Sequence, residues 1–441
     1  MSVVAKPGLE RRLGFLDTAS LVVGAVIGTA IFLVPSTILR VNPSPLAAIL
    51  LFLFAGALSY CGALAYAELG AMMPATGGEY VFLRESWGAP WAFLCGWAYF
   101  TVTQTGGIAA IAAGFSALCA SLAPMTPWRQ KLLAAALLLA LTVVNVRGIR
   151  LGATVNNFLT FFKVAGLAAM IAAIALRPAN VAVDWSPPRH WSLAQAGVAL
   201  VPILWAYEGW NLVTAAAGEI RNPRRNLPRA LAAGLLAVVA VYSISMWVYL
   251  KALPVAAIAG SHAVAAGAAI RVLGPVGGTL VTATMLTAIA GSLNACILSA
   301  PRIYFAQALD GLFFPRFARV HSRHHTPYVA LWAQCAWAVA LVLTGSYDAL
   351  LSYCTFGAWI FYALAVSGVI VLRRRHPSAD RPFRMWGYPW TALAFTAAAA
   401  AFVLSTLIQY PVTSAAGVGL IAAGFPLYLH WKRRRPEPLP R

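Results

Sequence analysis

Apolar runs of about 20 residues recur from one end of this chain to the other, and no other feature limits the fold so severely. A helix of that length crosses the hydrocarbon of a bilayer, where each backbone amide and carbonyl must find a partner inside the protein. A mean hydropathy of +0.76 and a charged fraction of 10% leave no stretch longer than about 25 residues able to fold in water. The expected fold is all-α and polytopic, one membrane domain over 1–441. About twelve transmembrane helices are expected, near 15–39, 46–70, 90–120, 130–148, 154–177, 195–217, 229–253, 276–308, 328–345, 349–372, 388–409 and 412–431.

A formal net charge of +20 would suit a nucleic-acid partner if it lay on one soluble face. It does not: with the N-terminus inside, 24 of the 32 Lys and Arg fall in cytoplasmic segments and seven in outer loops, the bias that orients membrane helices. Nucleic acid is therefore not expected as a partner, and both termini are expected in the cytoplasm. The clusters Arg373 to His376 and Lys432 to Arg435 read as topogenic and as facing membrane lipid. The cysteines (Cys61, Cys95, Cys119, Cys296, Cys335, Cys354) make no CxxC or Cys/His spacing and read as small core residues. The histidines make no HExxH, and the HSRHH group at 321–325 reads as a solvated face, so no metal or cofactor is expected. No cleavable signal is expected, because the first apolar segment is too long and lacks a small-residue cleavage site.

Ten spans divide into five and five, with an accessory pair at 388–431. Five is odd, so the second unit (195–372) must run opposite to the first (12–177), which is the arithmetic of an inverted repeat. The leading span of each unit is interrupted, by VIGTAIF (Val26 to Phe32) in the first and LWAYEGWNL (Leu204 to Leu212) in the sixth. Interrupted helices survive in hydrocarbon only beside protein or a cavity, and their ends offer N–H groups to a carboxylate and C=O groups to an ammonium. The pair of breaks predicts a site for a small zwitterion. Gly24 and Gly28 also form a GxxxG spacing, so a packing face is the competing reading of the same glycines.

Lys163 lies about ten residues into the fifth span, near the bilayer centre, where an ammonium must face the bundle interior and bond carbonyls or a carboxylate. It reads either as the replacement of a coupling cation or as a structural tether between the first helix and the eighth. Glu208, inside the second break, either titrates, stays ionised against Lys163 or a substrate ammonium, or caps freed N–H groups. Trp205 and Tyr207 read as rings closing over a ligand or as packing aromatics. Asp17 reads as a cap on the first span, Glu68 as the close of the second, and Glu79 and Glu85 as residues of an inner connection. No paired carboxylates, Ser/His/Asp set or phosphate loop is present, so an enzyme is not expected.

With those residues in view, the chain from about 12 to 430 resembles an L-type amino-acid transporter of the amino acid–polyamine–organocation superfamily, of the light-subunit kind and its bacterial relatives. GAVIGTAIF (Gly24 to Phe32) is similar to the family's GxIIGSGIF, and AYAELGAMMPATGGEYVFL (Ala65 to Leu83) to YAELG followed by P-x-[ST]-G-G-x-Y. WAYEGWNLV resembles FAYxGWN, and GEIRNPRRNLPRA (Gly218 to Ala230) resembles E-[IV]-x-N-P-x-R-N-[IL]-P. GSLNACILSAPRIYFAQALDGLFFP (291–315) is similar to an SxR followed by an acidic-Gly turn.

The resemblance implies a LeuT-like 5+5 inverted repeat with discontinuous helices 1 and 6, and sodium-independent amino-acid exchange. It implies that Ile27, Gly28 and Thr29 hold the substrate carboxylate and that carbonyls near Val26, Ile27, Trp205 and Ala206 take its ammonium. It further implies that Trp205 is the gate, that Asn211 faces the pocket, and that Lys163 occupies the place of sodium, with Ser292 and Asn294 as neighbours of the pocket or of Lys163. Ala30 stands where the family has Gly, Glu208 where it often has Gly or Asp, and Ala358 where a polar residue can occur, which suggests an apolar side-chain pocket. Cys119 lies near the loop of the heavy-subunit cysteine but in the wrong spacing, so no heavy subunit is expected.

The expectation is a multi-pass carrier of the cell membrane, a bacterial inner membrane by its short loops, moving neutral L-amino acids without sodium by alternating access. A proton-coupled symporter using Glu208 or Lys163, and a cationic amino-acid or polyamine carrier, are rivals on the same scaffold. A lipid-modifying enzyme would need polar clusters at one interface, which this chain lacks; a channel would need a ring of selectivity groups, normally from oligomer symmetry, and twin broken helices in one protomer fit a carrier better.

Overall fold

The computed structural model describes residues 9–433 except 179–180, 188–192, 262, 346 and 410; Arg434, Arg435 and the side chain of Cys354 lie outside the described residues. The helices in chain order are α1 (Phe15–Val26), α2 (Ala30–Val41), α3 (Pro45–Met72), α4 (Glu79–Trp87), α5 (Ala89–Ala98), α6 (Gln104–Leu122), α7 (Pro127–Val146), α8 (Ile149–Ala175), α9 (Leu193–Ala206) and α10 (Pro223–Ala252). There follow α11 (Val255–Gly260), α12 (Val264–Leu273), α13 (Pro275–Ser299), α14 (Pro301–Leu309), α15 (Tyr328–Thr344), α16 (Tyr347–Arg375), α17 (Trp390–Gln409), α18 (Pro411–Ala422) and α19 (Gly424–Arg433). A π-turn (Tyr99–Thr103) joins α5 to α6, and a 3₁₀ helix (Trp210–Glu219) follows α9.

Among the described residues eight helical stretches are long and apolar enough to cross a membrane: α3, Ala89–Leu122, α7, α8, α10, Pro275–Leu309, Gly357–Arg375 and α17. Helices α1 and α2 act together as a further span, bent by 41° at their junction. The first, sixth, ninth and twelfth expected spans are thus made of shorter pieces: α1 with α2, α9 with the 3₁₀ helix, the 17-residue α15, and α18 with α19. The chain is a multi-pass helical membrane protein. Two connections expected as loops fold into short helices instead: α4, held between Gly78 (φ 47°) and Gly88 (φ 94°), and the pair α11 and α12.

Local signals place the helix ends. Ser44 and Thr126 accept hydrogen bonds from Ala47 N and Arg129 N just ahead of Pro45 and Pro127, the cap-then-proline start of a helix. Asp17 Oδ2 accepts from Gly14 N at 2.8 Å, the capping role expected of it, and its Oδ1 accepts from Asn157 on α8 at 2.7 Å. The polarity of α8 is reversed relative to a helix in water. Phe158, Phe161 and Phe162 point outward, while Asn156, Thr160 and Lys163 are buried, which is the arrangement hydrocarbon selects. α1 packs against α8, α10 and α13, and α3 lies along α10.

Two buried acids tie distant segments together. Arg302 at the start of α14 pairs through Nε with Glu219 Oε2 at 2.7 Å, both side chains being essentially inaccessible, so the GEIRNP and SAPRIY stretches meet in space. The carbonyl of Glu219 accepts from Arg12 N and Leu13 N, which anchors the segment before α1. Glu68 does more than close a span: it receives Arg373 of α16 at 2.8 and 2.6 Å and Met385 N at 2.8 Å, and Arg381 lies 3.6 Å away.

Candidate functional site

The last carbonyls of a helix have no partners within it. At the end of α1 side chains from three other helices supply them. Lys163 Nζ of α8 donates to Gly24 O and Ile27 O, each at 2.8 Å. Ser292 Oγ of α13 donates to Ala25 O at 2.9 Å, and Tyr242 Oη of α10 lies 3.0 Å from Val26 O. The same hydroxyl is 3.1 Å from Ala206 O, the end of α9, so one phenol bridges the two breaks. The N–H groups of Gly28 and Thr29, by contrast, make no hydrogen bond among the described residues. They stand at the start of α2, where the helix dipole is positive and an anion is favoured.

The second break runs through Tyr207, Glu208 and Gly209. Gly209 has φ 109°, and a Cβ there would lie 3.2 Å from Ala25 O, so only glycine both turns the chain and lets the breaks touch. Between them is a cavity of about 110 Å³, room for a small solute rather than one water. Val26, Gly28, Thr29, Ala30, Trp205, Ala206, Glu208, Ser292 and Ala358 border it, together with Thr103, Gln104 and Cys296. Thr103 Oγ1, delivered by the π-turn, is buried without a hydrogen-bond partner among the described residues.

Several expected residues lie elsewhere. Ile27 is fully buried away from the cavity and contributes only its carbonyl, to Lys163. Tyr207 directs its hydroxyl to Phe52 O at 3.2 Å and packs its ring on Tyr242. Asn211 does not face the pocket: after the left-handed turn at Gly209 its Nδ2 donates to Glu79 Oε2 at 3.0 Å. Asn294 lies two positions beyond Ser292 and so on another face of α13; it donates to Gly152 O at 3.0 Å and accepts from Asn145 at 2.9 Å. The ammonium of Lys163 bonds carbonyls rather than Glu208, and its side chain runs against Gly291 of α13. Glu208 neither caps α9 nor meets Lys163; its Oε1 lies 3.0 Å from Tyr362 Oη. Lys163 already donates to the carbonyl of Ile27, and the single hydroxyl hydrogen of Tyr242 serves Val26 O or Ala206 O but not both, which leaves one of those two carbonyls open to an ammonium.

The competing readings of the two glycines separate cleanly. Gly24 is a packing residue, since a Cβ there would meet Asn156 Oδ1 at 2.9 Å and Thr160 Oγ1 at 3.1 Å, whereas Gly28 faces the cavity. Tyr242, Tyr362, Thr103 and Cys296 were not legible as site residues, because nothing local distinguishes them from packing residues of an apolar span. Glu79, read as part of a connection, is buried at 2% exposure beneath the second break. The paired glycines before it, Gly77 (φ 119°) and Gly78 (φ 47°), turn it inward and were the available signal.

A helical membrane protein with two interrupted spans meeting at a partly polar cavity is built as a carrier of small solutes. The amino acid permease family matches residues 13–429, and the chain belongs to this family of amino acid transporters. The serine/threonine exchanger SteT of Bacillus subtilis (strain 168) is 31% identical over 432 residues, covering 97% of this chain and 98% of the relative. The b(0,+)-type amino acid transporter 1 of Mus musculus is 30% identical, over 86% of this chain and 79% of its own. The large neutral amino acids transporter small subunit 2 of Rattus norvegicus is 28% identical, over 97% of this chain and 82% of its own.

Proposed function

We propose that the protein exchanges neutral L-amino acids across a bacterial inner membrane, without sodium, by alternating access about the cavity between the breaks. The observation that carries this reading is Lys163, a fixed ammonium 2.8 Å from two carbonyls of the broken first span, where a coupling cation would otherwise neutralise the helix end. The free amides of Gly28 and Thr29 take the substrate carboxylate, the carbonyls of Val26 and Ala206 take its ammonium, and Trp205 closes over it. Ala30, Ala358 and Cys296 form a small apolar wall for the side chain. The resemblance of one relative named as a serine/threonine exchanger makes small hydroxylated amino acids the first substrates to try. On this reading 12–177 and 195–372 are the inverted repeats, both termini are cytoplasmic, and no heavy subunit is needed.

The test is uptake of labelled serine, threonine, alanine or leucine into proteoliposomes. It should be severalfold faster when the lumen holds unlabelled amino acid, and replacing sodium by choline should leave it unchanged. Equal uptake into empty vesicles would count against exchange. The Glu208 carboxyl in the cavity wall favours a second reading, a carrier of substrates with an additional ammonium. Strong competition by arginine or putrescine would select it.

A further inference from the structure

Glu208 is one end of a hydrogen-bonded chain that leads away from the cavity. Tyr362 Oη lies 3.0 Å from Glu208 Oε1 and 3.3 Å from Asn211 Oδ1; Asn211 Nδ2 donates to Glu79 Oε2 at 3.0 Å, and Tyr99 Oη donates to the same oxygen at 2.6 Å. Hydrogens can be counted along it. A phenol has one hydrogen, and both a carboxylate and an amide oxygen only accept. With both acids ionised, Tyr362 satisfies Glu208 or Asn211 but not both, and two negative charges sit in one buried network that holds no cation among the described residues. With a proton on Glu208, its O–H donates to Tyr362 Oη, whose own hydrogen turns to Asn211 Oδ1, and each contact has a donor. Reversing the Asn211 amide moves the requirement without removing it: Tyr362 then donates to Glu208, and Glu79 must carry the proton to donate to Asn211. Either orientation requires at least one proton on the two carboxyls, and one is enough to give every contact a donor.

Among the described residues, the other groups facing the pair supply no counter-charge. Tyr66, Cys95 and Tyr99 face Glu79, Cys296 faces Glu208, and Tyr362 faces both; these phenols and thiols are not cations at any pH. Lys163 faces Cys296 but directs its ammonium at the carbonyls of the first break.

We propose that Glu208 and Glu79 share one proton through Tyr362 and Asn211, and that neutral amino acids bind with that proton in place. The second clause rests on the carrier reading above. An ionised Glu208 would place a second negative charge in the cavity that receives the substrate carboxylate, so losing the proton weakens binding. On release the proton leaves Glu208 for the cavity, and the Tyr362 hydrogen turns from Asn211 to Glu208; no other bond changes.

Two measurements test the parts separately. In the ligand-free, full-length protein near pH 6, infrared spectroscopy should detect a protonated-carboxyl band that is lost or shifted in both E208Q and E79Q. Its absence, or its survival in both variants, overturns the shared proton whatever the protein transports. Serine affinity, measured by calorimetry between about pH 5 and 9, the range desolvated carboxyls reach, should fall about tenfold per unit above the pair's titration, the slope of one linked proton. E208Q should flatten that slope, whatever its absolute affinity. E79Q should move the fall to lower pH, because removing a like charge makes Glu208 easier to ionise. Affinity independent of pH, or the same slope in E208Q, overturns the linkage. A carboxyl band with no binding of serine, threonine, alanine or leucine at any pH overturns the neutral-substrate reading and the linkage together while leaving the shared proton standing.

Discussion

Lys163 and Tyr242 act alike through different chemistry: each brings side-chain hydrogens to carbonyls that a broken helix leaves bare. Their replacement should differ accordingly. Lys163→Ala strands two carbonyls and removes the ammonium at the first break, so exchange should drop at least tenfold in proteoliposomes while size-exclusion profiles stay monodisperse; unchanged exchange would remove Lys163 from the mechanism. Tyr242→Phe loses one hydroxyl, a loss of about 1–3 kcal/mol for acceptors left without a donor, and should appear as a lowered thermal midpoint together with slower exchange. The Arg302–Glu219 pair offers a sharper contrast because both side chains are buried. Arg302→Met alone leaves a buried carboxylate, at a cost of about 3–5 kcal/mol, whereas replacing both residues by apolar ones should recover much of that. Thermal unfolding of the single and double variants distinguishes the cases.

At the scale of elements, the breaks are maintained by glycines with distinct duties. Gly209 holds a positive φ against Ala25 O, so Gly209→Ala meets both a conformational penalty of about 1–2 kcal/mol and a tight contact with the first break, which must shift by a few tenths of an ångström to admit the methyl. It should lower the thermal midpoint. At Gly28 the added Cβ would sit 3.4 Å from Ser292 Oγ, an ordinary contact. Gly28→Ala should therefore fold like the wild type yet lose amino-acid uptake, since the methyl projects toward the place where substrate must approach the backbone. Equal uptake would show that the first break is not the receptor. The interruption itself was readable from GAVIG and AYEGW, because glycine and polar residues inside an apolar run are local facts. That the sixth span continues as a 3₁₀ helix, and that α4 turns Glu79 inward, depended on φ values that neighbouring helices impose.

Across the whole molecule, Glu68 joins the second span, the tenth and the segment leading to the eleventh. Glu68→Gln should loosen Arg373 and Arg381 together, and limited proteolysis should then cut between α16 and α17 more readily than in the wild type. The span pattern, the two breaks, the buried lysine and the family were all legible in the chain, since each depends on residues within a window of one helix. Hydrophobicity over about 20 residues decides membrane insertion whatever packs alongside. What tertiary structure alone decided is which side chain answers which orphaned backbone group: that Ser292 and Tyr242 join Lys163 in closing α1, that Asn211 and Asn294 turn away from the cavity, and that Glu208 is linked to Glu79. The physical reason is that a buried polar group must be satisfied, but hydrocarbon does not specify by whom. The partners lie as far as 267 positions apart, as Ser292 and Ala25 do, and only the packed bundle brings them together.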